Sequence, residues 1–319
     1  MSEHFLELRN IKKYFQTPGG PLHAVDDVSF TLEKGRTIGV VGESGCGKST
    51  LGRVISRLLD ATGGEVILKG ENILDYKRRR IKSLRREVQM IFQDPFSSLD
   101  PRKTIYSTIA APMTTQRMFN SRAEVDRRVL EIMELVGLAE RYINTYPHEL
   151  DGGRRQRIGI ARALALEPEL IVCDEPVSAL DVSIQAQILN LLKRLQLQFG
   201  YTYIFITHNL SVVKHFAQEV LVMYLGQVVE IAPVKELFSN PKHPYTQALL
   251  SAIPKPVINS SRVRVILKGE ITSPIRPKDE CRFADRCAYV TDICRKKCPP
   301  LTDLGDGHVI RCYSPRTAP

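Results

Sequence analysis

Gly42-Glu43-Ser44-Gly45-Cys46-Gly47-Lys48-Ser49-Thr50 has the spacing of a phosphate-binding loop, with glycines at 42 and 47 followed at once by a lysine and a hydroxyl. Such a loop wraps backbone N–H groups around a polyphosphate at a helix N-terminus. Lys48 can reach the β- and γ-phosphates, and the Ser49 hydroxyl can hold Mg²⁺. Other candidates lie far along the chain. Asp174-Glu175 ends one apolar run, His208 another and Gln93 a third. Asp174 can hold Mg²⁺ through water, and Glu175 can polarise an attacking water. Asp151-Gly152-Gly153 precedes a helical pattern, where bare N–H groups and a positive dipole end suit a second anion. Taken singly, these are also a loop glutamine, a turn of acids and a structural histidine.

The elements that must position them can be read from periodicity. Thr37-Ile38-Gly39-Val40-Val41 reads as a buried strand, and Leu51, Val54, Ile55, Leu58 and Leu59 fall at helical spacing. Ahead of them, Phe5 to Ile11 and Val28, Phe30 and Leu32 alternate as two half-buried strands around the turn-rich Thr17-Pro18-Gly19-Gly20-Pro21. An aromatic of this hairpin, Tyr14 or Phe15, could stack on an adenine or simply pack against the hairpin. Val88 to Phe92 is a strand that delivers Gln93 where ligands bind in open α/β sheets. From about 95 to 166 the pattern is helical, giving a subdomain with a helix over Ile158 to Leu166. Leu170 to Asp174 is apolar enough for a central parallel strand. Ser178 to Asp181 then opens a long amphipathic helix that stops at Gly200, and the strand Tyr203 to Thr207 delivers His208.

Composition narrows the class. The chain has 319 residues, 43% of them hydrophobic and 25% charged, the balance of a globular protein with a sizeable core. No run of about 18 apolar residues is present, and the N-terminus lacks a secretion-signal pattern, so a cytosolic protein is expected. A net charge of +10 invites a nucleic-acid or membrane-surface reading. However, the densest basic run, Lys77 to Arg80 with Arg85 and Arg86, has no interleaved aromatics and fits a solvated helix face equally well. Of the seven cysteines, Cys46 and Cys173 read as small residues, and Cys281, Cys287, Cys294, Cys298 and Cys312 cluster in the tail. In a cytosolic chain such a cluster suggests metal rather than disulfides. The spacing lacks paired Cys-x-x-Cys, which leaves an iron–sulfur cluster, zinc and free thiols open.

The phosphate loop, Gln93, glycine pair, Asp174-Glu175, Asp181 and His208 resemble, in order and spacing, the ABC transporter ATPases. Gln93-Asp94-Pro95-Phe96-Ser97-Ser98-Leu99, Asn240-Pro241-Lys242-His243-Pro244-Tyr245-Thr246 and the cysteine tail narrow the resemblance to ATP-binding subunits of bacterial oligopeptide and dipeptide importers, of the second-ATPase type. The resemblance implies an α/β fold: a RecA-like P-loop NTPase core with an N-terminal antiparallel β-subdomain, an inserted helical subdomain and a small Cys-rich extension. The ATPase domain would be 1–254 and the extension 255–319. It also implies roles. The loop from Gly42 to Thr50 takes ATP and Mg²⁺, Gln93 senses the metal and γ-phosphate, Glu175 is the general base and His208 the switch. Phe15, ahead of Tyr14, stacks on adenine. Asp181 belongs to the nucleotide-contacting set, and Asp151, Gly152 and Gly153 face the partner's ATP. Cys281, Cys287, Cys294 and Cys312 would hold a [4Fe–4S] cluster, with zinc as the alternative and Cys298 left over.

The implied partners are a homologous ATPase paired head to tail, two integral-membrane permease subunits and, through them, an extracytoplasmic peptide-binding protein. No nucleic acid is expected, and the place is the cytoplasmic face of the inner membrane. The alternatives are an importer subunit for nickel or glutathione, or a soluble nucleic-acid-associated ABC ATPase, although neither a second cassette nor a heptad insertion is present. One departure stands out. The family reads Leu-Ser-Gly-Gly-Gln where this chain has Leu150-Asp151-Gly152-Gly153-Arg154. An ionised Asp cannot donate to phosphate, and a carboxylate about 4 Å from a phosphate charge is repelled by roughly 4 kcal/mol at a dielectric near 20. As a helix N-cap it contributes about 1 kcal/mol. Either Arg154 offsets the charge or Asp151 turns away as a cap, and the partner's site is expected to be the weaker.

Overall fold

Tyr14 and Phe15, beyond the alternation that stops at Ile11, lie inside the same strand, which is longer than the alternation shows. In the computed structural model β1 (Leu6–Thr17) and β2 (Gly20–Leu32) form a hairpin paired from Leu6↔Leu32 to Thr17↔Gly20. The turn-rich insert is therefore short. Gly20 takes φ 116°, a left-handed conformation open to glycine, and lets β2 start at once. Register shifts between Leu8 and Tyr14 absorb the break in alternation that made the first strand look shorter. The structure describes residues 4–253, 265, 267, 269 and 272–316; the boundary expected at 254/255 lies outside the described residues.

After the hairpin come β3 (Thr37–Val41), α1 (Lys48–Ile55), β4 (Gly63–Leu68) and β5 (Glu71–Asn72). Next are α2 (Arg78–Glu87), β6 (Val88–Ile91), α3 (Pro95–Ser98), α4 (Ile105–Gln116), α5 (Arg122–Leu135) and α6 (Gly152–Leu164). Then follow β7 (Leu170–Asp174), α7 (Val182–Phe199), β8 (Thr202–Ile206), α8 (Leu210–Phe216), β9 (Glu219–Tyr224) and β10 (Gln227–Pro233). The described chain closes with α9 (Val234–Ser239), α10 (Pro244–Ser251), β11 (Thr302–Asp303) and β12 (Val309–Ile310). It clusters into two compact units, one from Asp75 to Ile204 and the other from the flanking segments.

In the flanking unit, β2-β1-β4-β5 make an antiparallel sheet. A second sheet pairs β3 parallel to β9, then β10, β12 and β11 antiparallel. β3 is buried at every position, as a strand covered on both faces must be. One core joins Val41 at its end to Val220, Val222, Tyr224, Tyr245 and Phe283. The strand before the phosphate loop thus shares its packing with the Cys-rich extension.

In the central unit β6 and β7 pair in parallel, Val88↔Leu170 to Ile91↔Cys173. The helices begin where short polar side chains cap them. Ser121 and Glu124 close a capping box on α5, Thr104 caps α4, and Asp181 caps α7, which ends at Gly200 with φ 71°. Basic α2 buries only Leu84, the solvated face considered above.

Candidate functional site

The phosphate loop lies between β3 and α1 as expected, although α1 ends at Ile55, short of Leu58 and Leu59. Gly47 takes φ 103°, and a Cβ there would come within 2.0 Å of the Ala24 carbonyl oxygen; at Gly42, φ 151°, it would meet the Met223 carbonyl at 2.2 Å. No other residue fits either position, so the path of the loop is dictated by its neighbours. Lys48 is 5% exposed, and its ammonium donates to the carbonyls of Gly42 at 2.8 Å and Glu43 at 2.9 Å. The cation is thereby folded over the mouth of its own loop. Ser44 and Gly45 are exposed, Ser49 and Thr50 half-buried. Cys46 is a small buried residue whose thiol burial pushes up, away from the thiolate.

Lys48, Ser49 and the loop N–H groups offer a cradle with the chemistry of an ATP–Mg²⁺ phosphate site. In the same unit His208 is exposed just after β8, next to Thr207, whose N–H donates to the Val40 carbonyl on β3 at 3.1 Å. The two aromatics of β1 separate. Tyr14 stacks on His23 with centroids 3.8 Å apart, and its hydroxyl donates to Asp26 at 2.5 Å. Phe15 has the Lys13 ammonium 5.0 Å over its half-buried ring.

The central unit brings Gln93 to Glu175: the amide Nε2 donates to the carboxylate at 3.0 Å. Asp174 is 2% exposed at the end of β7, while Glu175 stands half-buried beyond it at φ 46°. A glutamate in left-handed backbone is unusual, and such strain tends to collect at functional sites. Asp181 is an exposed helix cap, accepting from Ile184 N–H at 3.0 Å.

At Asp151 the cap and the pairing with Arg154 are both present. One carboxylate oxygen caps α6, accepting from Arg154 N–H at 2.8 Å, and the other pairs with the Arg154 guanidinium, which lies 5.1 Å over the Tyr142 ring. The helix starts at Gly152 and Gly153 themselves, six residues earlier than Ile158. A Cβ at Gly153 would strike Ile184 at 2.7 Å and one at Gly152 would touch Leu180 at 3.2 Å. The glycine pair is therefore also what lets α6 approach the start of α7.

The tail corrects the sequence reading. Cys281, Cys287, Cys294 and Cys312 line one mostly apolar cavity of about 20 Å³, with Phe283 and Pro299. Yet among the described residues no three His, Cys, Asp or Glu side chains form a group that could hold a metal ion. The expected [4Fe–4S] cluster, and zinc in its place, are set aside. The physical reason is geometric: the four thiols share the rim of one cavity, but no three of them converge as the ligands of a single ion. Packing and ion pairs hold the extension instead. Phe283 sits edge-on to Tyr224 at 5.2 Å, Arg286 grips Glu43, Arg282 grips Asp26, and Arg311 donates to Asp27 at 2.9 Å. Burial opposes charge on Asp26 and Asp27, but their donors win and hold both carboxyls below the ordinary range.

Arg282, Arg286, Asp26 and Tyr245 were not singled out from sequence. Tyr245 lies inside the Asn240–Thr246 stretch, and the two arginines directly follow Cys281 and precede Cys287, whose clustering is the stronger pattern.

Comparison with known proteins adds to this geometry. Residues 25–178 match the ABC transporter family and residues 229–294 the family described as oligopeptide/dipeptide transporter, C-terminal region. The chain is 50% identical to the oligopeptide transport ATP-binding protein AppF of Bacillus subtilis, covering 98% of this chain and 97% of that one. It is 51% identical to the oligopeptide transport ATP-binding protein OppF of Escherichia coli, covering 93% and 90%. Among solved structures, the ATP-binding cassette MJ0796 in a dimeric post-hydrolysis state bound to ADP and Pi matches with a TM-score of 0.66 and 30% identity, over 72% of this chain and 98% of that one. Among the described residues no helix is long and apolar enough to cross a membrane.

Proposed function

The chain belongs to the ATP-binding subunits of the ABC transporters of oligopeptide and dipeptide type, and from that premise we propose that it is the ATP-hydrolysing, energy-coupling subunit of a peptide importer. The fold is that of the mixed α/β ABC ATPase, with an N-terminal β-subdomain, helical insertions and a Cys-rich C-terminal extension. The observation that carries the reading is the phosphate loop, with Lys48 drawn over it and glycines at positions where a Cβ cannot fit. Lys48 and the loop N–H groups bind the phosphates. Ser49, with Gln93 as the sensing residue, is assigned to Mg²⁺, which when bound neutralises charge on the β- and γ-phosphates. Glu175 accepts the proton of the attacking water, Gln93 orients that carboxylate, and His208 contacts the γ-phosphate.

The subunit works as a head-to-tail pair with a homologous ATPase, as the dimeric state of the MJ0796 cassette suggests. On the cytoplasmic face of the membrane, two permease subunits convert closing and reopening of that pair into peptide import. The domain limits are 1–254 for the ATPase and 255–319 for the extension. Because Asp151 presents a carboxylate at the tip that serves the partner's ATP, the pair is asymmetric: the site on this chain's own loop hydrolyses, and the other is the weaker. Purifying the tagged chain from membranes tests the assignment. Permease subunits and peptide-stimulated ATP hydrolysis are the expected result, and co-purification with nucleic acid in place of permeases would overturn it.

A further inference from the structure

The Cys-rich extension reaches the nucleotide-binding unit through two arginines, and both end on carboxylates of the segments assigned to ATP. The Arg286 guanidinium forks onto Glu43, Nη1 to Oε2 at 2.7 Å and Nη2 to Oε1 at 3.1 Å. Its side chain is 9% exposed and that of Glu43 23%, so water screens the pair far less than a surface bridge. Glu43 is the second residue of the phosphate loop. Its backbone N–H donates to the Tyr245 hydroxyl oxygen at 2.9 Å, so side chain and backbone are both held from outside the loop.

Four residues earlier, Arg282 forks between the Leu225 carbonyl and the carboxylate of Asp26. Asp26 lies on β2 of the hairpin that carries Phe15. Its N–H donates to the Gly226 carbonyl at 2.8 Å, and Gly226 N–H donates to the Cys46 carbonyl at 2.9 Å. Hairpin, β9–β10 turn and phosphate loop are thus one hydrogen-bonded chain, and the extension holds it at both ends. Phe283, packed on Tyr224 and Tyr245, fixes the backbone between the two arginines.

We propose that Arg282 and Arg286 are positioning residues of the nucleotide site, holding the Phe15 hairpin and the phosphate loop at the spacing ATP requires. The proposal rests on the ATP-binding reading above. Two effects follow from the chemistry. Arg286 cancels a carboxylate that the bound triphosphate would otherwise meet as a like charge. The two forks also fix the loop and hairpin before ligand arrives, so less ordering remains to oppose binding. The extension then acts on nucleotide affinity through ion pairs, with no metal needed for that action.

Titrating the full-length chain with a fluorescent ATP analogue and Mg²⁺ tests this. Arg286→Gln is expected to weaken binding about five- to tenfold and Arg286→Lys about two- to threefold, the range for losing a charge-assisted fork in part or whole. Adding Glu43→Gln to Arg286→Gln removes the stranded carboxylate but not the loss of the fork, and is expected to restore the share of the affinity that is due to charge. Arg282→Gln provides an independent arm, expected to weaken binding about threefold. Binding within twofold of the parent in both glutamine variants, or a double variant no better than Arg286→Gln, would overturn the proposal. Lys48→Ala separates it from the reading beneath: if Lys48→Ala binds like the parent, or the parent does not bind, ATP binding at this loop itself is wrong.

Discussion

Nε2 of Gln93, just beyond β6, lies 3.0 Å from Oε2 of Glu175, just beyond the neighbouring parallel strand β7. A neutral amide thus orients the carboxylate assigned as general base, and the left-handed backbone of Glu175 aims it. In the assembled transporter, Glu175→Gln is expected to lower turnover by about 10²–10³-fold while ATP binding persists. Gln93→Ala leaves the carboxylate in place but loosely aimed, with a loss of about tenfold in kcat and little change in KM. Steady-state ATPase measurements on the complex with its permeases check both, and unchanged turnover in Glu175→Gln would remove Glu175 from the mechanism.

Asp151 and Arg154 carry the second prediction. The pair is exposed, so the ion pair itself contributes under about 1 kcal/mol; the cap contributes about 1 kcal/mol more. Asp151→Ala is therefore expected to lower the melting temperature by a few degrees. Function separates the cap from the charge. In a Glu175→Gln background this chain's own site is expected to be silent, and the residual turnover is then expected from the partner's site. Asp151→Ser keeps a cap and supplies a donor, and it is expected to raise that residual turnover about tenfold. Arg154→Gln strands the carboxylate and is expected to lower it. If neither change moves the residual rate, Asp151 does not face the partner's phosphates.

Much of this was legible in the sequence because phosphate loops advertise themselves. Gly42 and Gly47 are dictated by carbonyls of Met223 and Ala24 that no side chain could pass, and Lys48 and Ser49 follow at fixed offsets. Strand ends announced Gln93, Asp174 and His208 because buried parallel strands are continuous apolar runs. What escaped was tertiary. The length of β1 was hidden by register shifts that break alternation. The start of α6 was hidden because glycine disfavours helix interiors, although at the first positions close packing on Leu180 and Ile184 requires it. The tail misled because cysteine count signals metal, whereas Arg282, Arg286 and Arg311 hold that segment through partners more than 200 residues away. No local pattern marks such pairs.

His243 sets a pH dependence. It is buried, and desolvation lowers its pKa to about 4, from about 6.5 in a peptide, against the opposing pull of Glu230. Its Nδ1 accepts from Tyr245 N–H at 3.1 Å, capping α10, and so must be unprotonated. Between those two values the unfolded chain binds the proton and the folded chain does not, so this contribution to stability is complete above about pH 6.5 and lost as pH falls towards 4. The full effect is about 3 kcal/mol. His243→Asn keeps a cap without a titrating ring, and thermal melts from pH 7 to 4.5 are expected to decline less steeply for it than for the parent. Parallel declines would rule out this histidine as the source.

Phe15 and Tyr14 share a strand but differ in what holds them. Tyr14 is committed on both counts, its ring against His23 and its hydroxyl to Asp26. An adenine would have to displace that stack. Phe15 is half-buried under a lysine side chain, a flexible neighbour that a base can push aside at little cost. Aromatic stacking on a base contributes about 1–3 kcal/mol. Phe15→Ala is accordingly expected to weaken binding of the ATP analogue by about 5- to 100-fold, with Phe15→Tyr close to the parent. Tyr14→Phe keeps its ring stack and loses one of several donors to Asp26, so affinity stays within about twofold while stability falls by about 1 kcal/mol. A triphosphate lacking the base sharpens the test: Phe15→Ala must not change its affinity, because nothing remains to stack. If Phe15→Ala weakened the base-free ligand equally, the residue would be acting on the loop and not on adenine.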